Sequence, residues 1–75
     1  MPYIPKPKPC ILDGYEVVKV VGGRKVYRNE DMLYTWDELH GEIEVFDCRG
    51  FHVGAIDGTT GERLKPAKKG RRLRV

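Results

Sequence analysis

Seventy-five residues, 40% of them hydrophobic and 33% charged, make one small domain. A chain this short has no room for a doubly wound nucleotide-binding fold or a barrel with crossover helices, so any site must be carried by a few strands and their loops. No apolar run approaches the ~20 residues of a membrane span and none reads as a signal peptide, while the hydrophobic share is too high for a wholly disordered chain.

The first nine residues, Met1 to Pro9, hold four of the five prolines, alternating with lysine at the end. Such a run forms neither a ladder nor a helix, so residues 1–12 read as a proline-rich arm or linker and residues 13–75 as a single folded domain. Turn residues then divide a series of β-type runs. Tyr15 to Val21 is rich in Val, Gly22-Gly23 makes a hairpin turn, and Lys25 to Arg28 is the return strand. Asn29-Glu30-Asp31 turns into the apolar and aromatic run Met32 to Trp36. The single helical candidate is one turn near Trp36 to Leu39. Glu42 to Asp47 alternates strictly, with Glu42, Glu44 and Phe46 on one face and Ile43, Val45 and Asp47 on the other. Arg49-Gly50 turns the chain back into Phe51 to Ile56, and Asp57 to Gly61 is a longer loop. Glu62 to Lys65 and Arg71 to Val75 read as short edge strands. The fold class is mainly β, α+β at most: a small, strongly twisted antiparallel sheet with an extended N-terminal arm.

The net charge of +3 hides an asymmetry. Seven of the eleven acidic residues lie between Glu30 and Asp47, and seven of the fourteen basic residues lie between Arg63 and Arg74, a stretch without acid. Such a basic block suits a polyanion, most simply nucleic acid; it equally suits a solvated tail, or one paired with the acidic middle. Cys10 and Cys48 could form one disulfide, but nothing in their spacing demands it, and two free thiols is the favoured reading. His40 and His52, with one cysteine between them, match no common zinc spacing, and Gly22-Gly23 lacks the rest of a phosphate loop. Serine is absent from the chain, which removes a serine nucleophile.

The segment Tyr34 to Phe46 packs Asp37, His40, Glu42 and Glu44 into eight residues. If the strand is extended from His40, then His40, Glu42, Glu44 and Phe46 share a face. Carboxylates crowded on one face repel unless a cation compensates, and the basic tail can supply it. An imidazole among carboxylates is the residue set of an acid–base pair. The plainer reading is a solvated Glu-x-Glu strand face with a surface histidine. Tyr34 and Trp36 read as core, and His52 as structural or a lesser site residue.

The run Trp36-Asp37-x-x-His40-Gly41-Glu42-Ile43-Glu44 resembles the catalytic segment of the colicin-type cytotoxic ribonucleases, bacteriocin domains that cut small-subunit ribosomal RNA at the decoding site. The resemblance continues through His52-Val-Gly-Ala-Ile-Asp57, Thr60-Gly61 and Leu64-Lys65 into a similar basic tail, and covers about half the chain. It implies a compact twisted antiparallel sheet and these roles. Glu44 is the general base toward the ribose hydroxyl. His40 is the acid or stabilises the phosphorane, Asp37 orients the site, and Glu42 is an accessory carboxylate. The tail arginine falls on Arg71, or on Lys69 when counted back from the C-terminus. Phe46 stands where the family carries Tyr, able to stack on a base but without a hydroxyl. The region before Tyr34 has little resemblance.

The resemblance further implies an endoribonuclease that needs no metal and no cofactor, since RNA carries its own nucleophile, the 2′-hydroxyl. Phe46, Lys65, Lys68, Lys69, Arg72 and Arg74 would hold the RNA. The expected partners are the ribosome and an acidic immunity protein, with no membrane contact by the isolated domain. The domain would be released or delivered from a producing bacterium within a larger toxin and act in the target cytoplasm. The competing readings are a non-catalytic RNA- or ribosome-binding β domain and an interaction domain whose tail binds an acidic protein.

Overall fold

The computed structural model describes residues 3–73. Six strands follow one another: Glu16–Val21 (β1), Arg24–Asn29 (β2), Met32–Asp37 (β3), Glu42–Phe46 (β4), His52–Ile56 (β5) and Arg63–Pro66 (β6). They form one antiparallel sheet in the order β1-β2-β3-β4-β5-β6, so each strand pairs with the next in sequence. Short hairpin connections make this the direct outcome of alternating runs broken by turn residues. The turn between β1 and β2 places Gly22 and Gly23 at φ +58° and +81°, a left-handed pair that glycine adopts without cost.

One face of the sheet carries the main core. Ile43 and Val45 of β4 and Tyr27 of β2 pack there with Cys10 and Leu12, and the rings of Tyr15 and Tyr34 lie 5.0 Å apart beside them. Burying a side chain such as Ile43 stabilises by about 1.5–3 kcal/mol. Cys10 and Leu12 come from the N-terminal segment, which runs along the sheet rather than away from it. A short 3₁₀ turn, Ile11–Gly14, ends it. The Ile4 N–H donates to the Glu38 carbonyl at 2.8 Å, the Trp36 indole N–H donates to the Ile4 carbonyl at 2.8 Å, and Lys6 Nζ bonds the Tyr27 hydroxyl at 2.6 Å. Proline removes backbone donors, so the segment is held through the residues between the prolines, the Ile4 backbone and the Lys6 side chain.

The helical turn expected near Trp36 to Leu39 is instead the end of β3 and a hydrogen-bonded turn at residues 38–41. The expected strand at Arg71 to Val75 reduces, among the described residues, to an isolated bridge between Phe51 and Arg72. Cys10 and Cys48 are free thiols, the first buried and the second exposed.

The opposite face has a smaller apolar cluster, Val26, Leu33 and Phe46, supported by Val21 and Leu73. Beyond it the same face becomes polar. Thr35 pairs with Glu44 and Asp37 with Glu42 across β3 and β4. Glu42 and Glu44 are only 5% and 4% exposed. The expected open polar strand face is therefore a buried one. The C-terminal segment closes over it through His52 N–H to the Arg71 carbonyl (3.1 Å) and Leu73 N–H to the Gly50 carbonyl (2.6 Å).

Candidate active site

Glu44 is central. Its β4 position points it under the C-terminal segment, where the Arg71 guanidinium donates to Oε1 at 2.9 Å. On the other oxygen, His52 Nε2 meets Oε2 at 2.6 Å. A bulge in β5 makes this possible: Val45 pairs with Gly54, but Phe46 pairs with His52, so the register skips Val53 and turns His52 onto the Glu44 face. The Lys68 N–H donates to His52 Nδ1 at 2.8 Å. Nδ1 is thus an acceptor, which leaves the ring proton on Nε2, aimed at Glu44. The contact is a directed hydrogen bond from a neutral ring, and a Lys68 backbone amide fixes its tautomer.

Glu42 is neutralised by a second tail cation. Lys65 Nζ lies 2.8 Å from Glu42 Oε1, and that hydrogen bond raises Lys65 above the usual lysine value. β6 is placed by a close approach to β5. A Cβ at Gly54 would stand 2.7 Å from the Lys65 carbonyl oxygen, so a side chain there would push β6 and Lys65 outward.

The turn after β3 builds the third part. Asp37 Oδ1 accepts the N–H groups of Leu39 (3.0 Å) and His40 (3.2 Å), and Oδ2 lies 2.7 Å from His40 Nδ1. Burial opposes ionisation of Asp37, but the His40 ring bond and these two backbone donors outweigh it and hold the carboxyl below its ordinary range. A carboxylate accepts only, so His40 Nδ1 carries the proton and Nε2 is left for chemistry. The His40 side chain is 61% exposed.

One open cleft of about 380 Å³ is floored by Glu42, Glu44 and the buried His52 and rimmed by His40, Lys65, Lys68 and Arg71. Asp37, His40, Glu42, Glu44 and Arg71, expected together from the sequence, are brought together. Arg71, rather than Lys69, reaches Glu44. Lys65 and Lys68 stand at the cleft, whereas Lys69 is exposed and lines none of it. Arg72 lies outside the cleft with its guanidinium 4.9 Å over the Phe51 ring. Arg74 falls outside the described residues. Phe46 departs from its expected use. It is 2% exposed, with the His52 ring edge-on at 5.4 Å and Arg71 at 5.9 Å over it, so it braces those side chains and offers no open face to a base.

Asp37, His40 and Glu42 also bring potential metal ligands within 4.8 Å of one another. Each already has a partner: Asp37 has His40 and Glu42 has Lys65. The grouping escapes a spacing rule because it joins a hairpin turn to the two strands flanking it.

Chemically, the cleft offers a buried carboxylate held by two donors, an exposed imidazole backed by a carboxylate, and three basic side chains. That set can move a proton at each of two points and hold an anion between them. Comparison with curated proteins finds no match to the chain. A family model described as Cytotoxic matches residues 6–74, nearly the whole chain and most of the arm. The chain belongs to the Cytotoxic family.

Proposed function

We propose that this cytotoxic domain is an endoribonuclease that cleaves small-subunit ribosomal RNA near the decoding site and so stops translation. The observation that carries the reading is Glu44: a buried carboxylate at the floor of an open cationic cleft, with His40 on the rim of the same cleft. Burying a carboxylate is costly unless it is paired; Arg71 and His52 pair this one and hold it in a defined orientation at the cleft floor.

In this reading Glu44 takes the proton of a ribose 2′-hydroxyl. The oxygen attacks the adjacent phosphorus, and the P–O5′ bond breaks. His40, with Nδ1–H held by Asp37, delivers a proton from Nε2 to the departing 5′-oxygen. The products are a 2′,3′-cyclic phosphate and a 5′-hydroxyl. Base and acid contribute on the order of 10²–10⁴-fold each. Arg71 and Lys68 face the phosphate and offset the charge that builds on it. Glu42 with Lys65 shapes the floor. No metal or cofactor enters these steps.

The basic rim positions RNA without reading its sequence, and site choice rests on the shape of unstacked RNA in the ribosome. The domain is released or delivered within a larger toxin and acts in the target cytoplasm. The producing cell then needs an acidic inhibitor protein. Incubating the domain with intact ribosomes and mapping the cut ends tests the reading. One cut near the decoding site with a cyclic phosphate end supports it. Tight ribosome binding without any cut overturns it in favour of a binding module.

A further inference from the structure

The first hairpin bears no part of the cleft, yet it joins it. Beside the cleft lies a second depression of about 350 Å³ that shares Arg71 as a lining residue and adds Arg72 and Arg24. This depression adjoins a third, of about 260 Å³, that shares Arg24 and adds Lys25, Lys6 and the side of Trp36. Gly22 lines the second and Gly23 the third. Thr35 and Trp36, neighbours on β3, face opposite sides of the sheet, and they line the second and third respectively. The three depressions therefore adjoin in a row that starts at the cleft, follows the β1–β2 turn and ends on the far face.

The charges lining the second and third depressions are nearly all positive; Arg71 is paired with Glu44, and Arg72 stacks over Phe51 and donates to the Arg49 carbonyl at 3.4 Å. Arg24, Lys25 and Arg72 have no carboxylate within ion-pair distance among the described residues. Lys6 is held over the Tyr27 ring at 4.9 Å, and its bond to the Tyr27 hydroxyl keeps it protonated. Among the described residues lining the second and third depressions, Glu38 at the far end is the one acid. Cations spaced along a groove, with an aromatic side chain at its end, suit a flexible polyanion with planar bases.

We propose that this row is one path and a second RNA-binding segment: a single strand bound in the cleft continues past Arg71 and Arg24, rounds the Gly22–Gly23 turn and ends against Lys25, Lys6 and Trp36. The inference rests on the ribonuclease reading of the cleft and extends it to a longer substrate strand. The bare two-glycine turn lets the strand pass without a side chain in its way.

The test measures binding of 2′-O-methylated RNA, which lacks the attacking hydroxyl, by fluorescence anisotropy across a salt series. Probes of about three and about twelve nucleotides separate the cleft from the path. In the double variant Arg24→Glu, Lys25→Glu, the long probe binds at least about tenfold more weakly, and its log–log salt slope falls by about 1.4, two contacts at about 0.7 each. The short probe binds as to the unaltered protein. The control Lys19→Glu, Arg28→Glu makes the same charge change on the same hairpin, around a separate depression beside Cys48, and costs less than about threefold. Arg24→Gln, Lys25→Gln serves if charge reversal disturbs folding, and lowers the slope by the same amount. Equal losses in the two charge-reversal pairs, or no loss in the first, overturn the path while leaving the cleft reading intact. Failure of the unaltered protein to bind either probe overturns the ribonuclease reading and the path together.

Discussion

His52 presents its Nε2 to Glu44 Oε2 at 2.6 Å while its Nδ1 accepts the Lys68 amide at 2.8 Å. One histidine thus links the C-terminal segment to the proposed base, and the backbone fixes which nitrogen carries the proton. His52 is a positioning residue: it acts through Glu44. His52→Ala should lower the cleavage rate about 10–100-fold, the worth of a hydrogen bond to a charged group at 1.5–3 kcal/mol. His52→Gln, whose amide can still donate, should recover part of it. Ring ¹⁵N shifts should show the Nε2–H tautomer, and an Nδ1–H ring would contradict the arrangement.

Lys65 and Glu42 should be thermodynamically coupled. Lys65→Met leaves the buried Glu42 carboxylate without its cation and should lower the melting temperature at neutral pH. Glu42→Gln should restore much of the loss in the double variant, because the stranded charge is gone. Additive effects of the two substitutions would show that the pair is not coupled.

Asp37 predicts an acid limb in stability. Its folded carboxyl titrates below the unfolded value of about 3.9. Between those two values the unfolded chain binds more protons, so stability falls as pH drops from about 4 toward and through the folded value. The stability from this group is fully present above the unfolded value. Asp37→Asn should flatten the dependence of unfolding free energy on pH below about 4, and should loosen His40. An unchanged acid limb would mean that other carboxylates, such as Asp57, held low by the Thr60 and Thr59 amides, carry it all.

The seated N-terminal segment has a thiol signature. Cys48 is exposed and Cys10 is buried in the main core. A thiol reagent should label one cysteine rapidly in the native protein, and the second only at the rate of unfolding. Prompt labelling of both would mean that the segment does not stay on the sheet.

The strands were legible because the turns are short and their residues are explicit: Gly22-Gly23, Asn29 to Asp31 and Arg49-Gly50 bracket every early run. Asp37, His40, Glu42 and Glu44 were legible as a group because hairpin register places Asp37 opposite Glu42. The burial of Glu42 and Glu44 was not. It comes from Lys65 and Arg71, some twenty or more residues on, and no local pattern encodes that return. His52 was undervalued because simple alternation does not anticipate the skipped Val53. Phe46 looked like a stacking ring because its neighbours are charged, whereas Val26 and Leu33 cover it. The arm looked like a linker because proline precludes a ladder; Trp36 and Tyr27 bind it through side chains instead.

Glu44→Gln on a short RNA copy of the decoding-site hairpin, with a chelator present, tests the central claim most directly. The substitution is nearly isosteric; its amide oxygen still accepts from Arg71 or from His52, while its NH2 cannot accept from the other, so a melting curve accompanies the rate. The account predicts that the unaltered protein cuts the hairpin to a 2′,3′-cyclic phosphate despite the chelator, and that the variant folds and binds but cuts at least about 100-fold more slowly. A variant that cuts at more than about a tenth of the normal rate, or a reaction that the chelator stops, would contradict it.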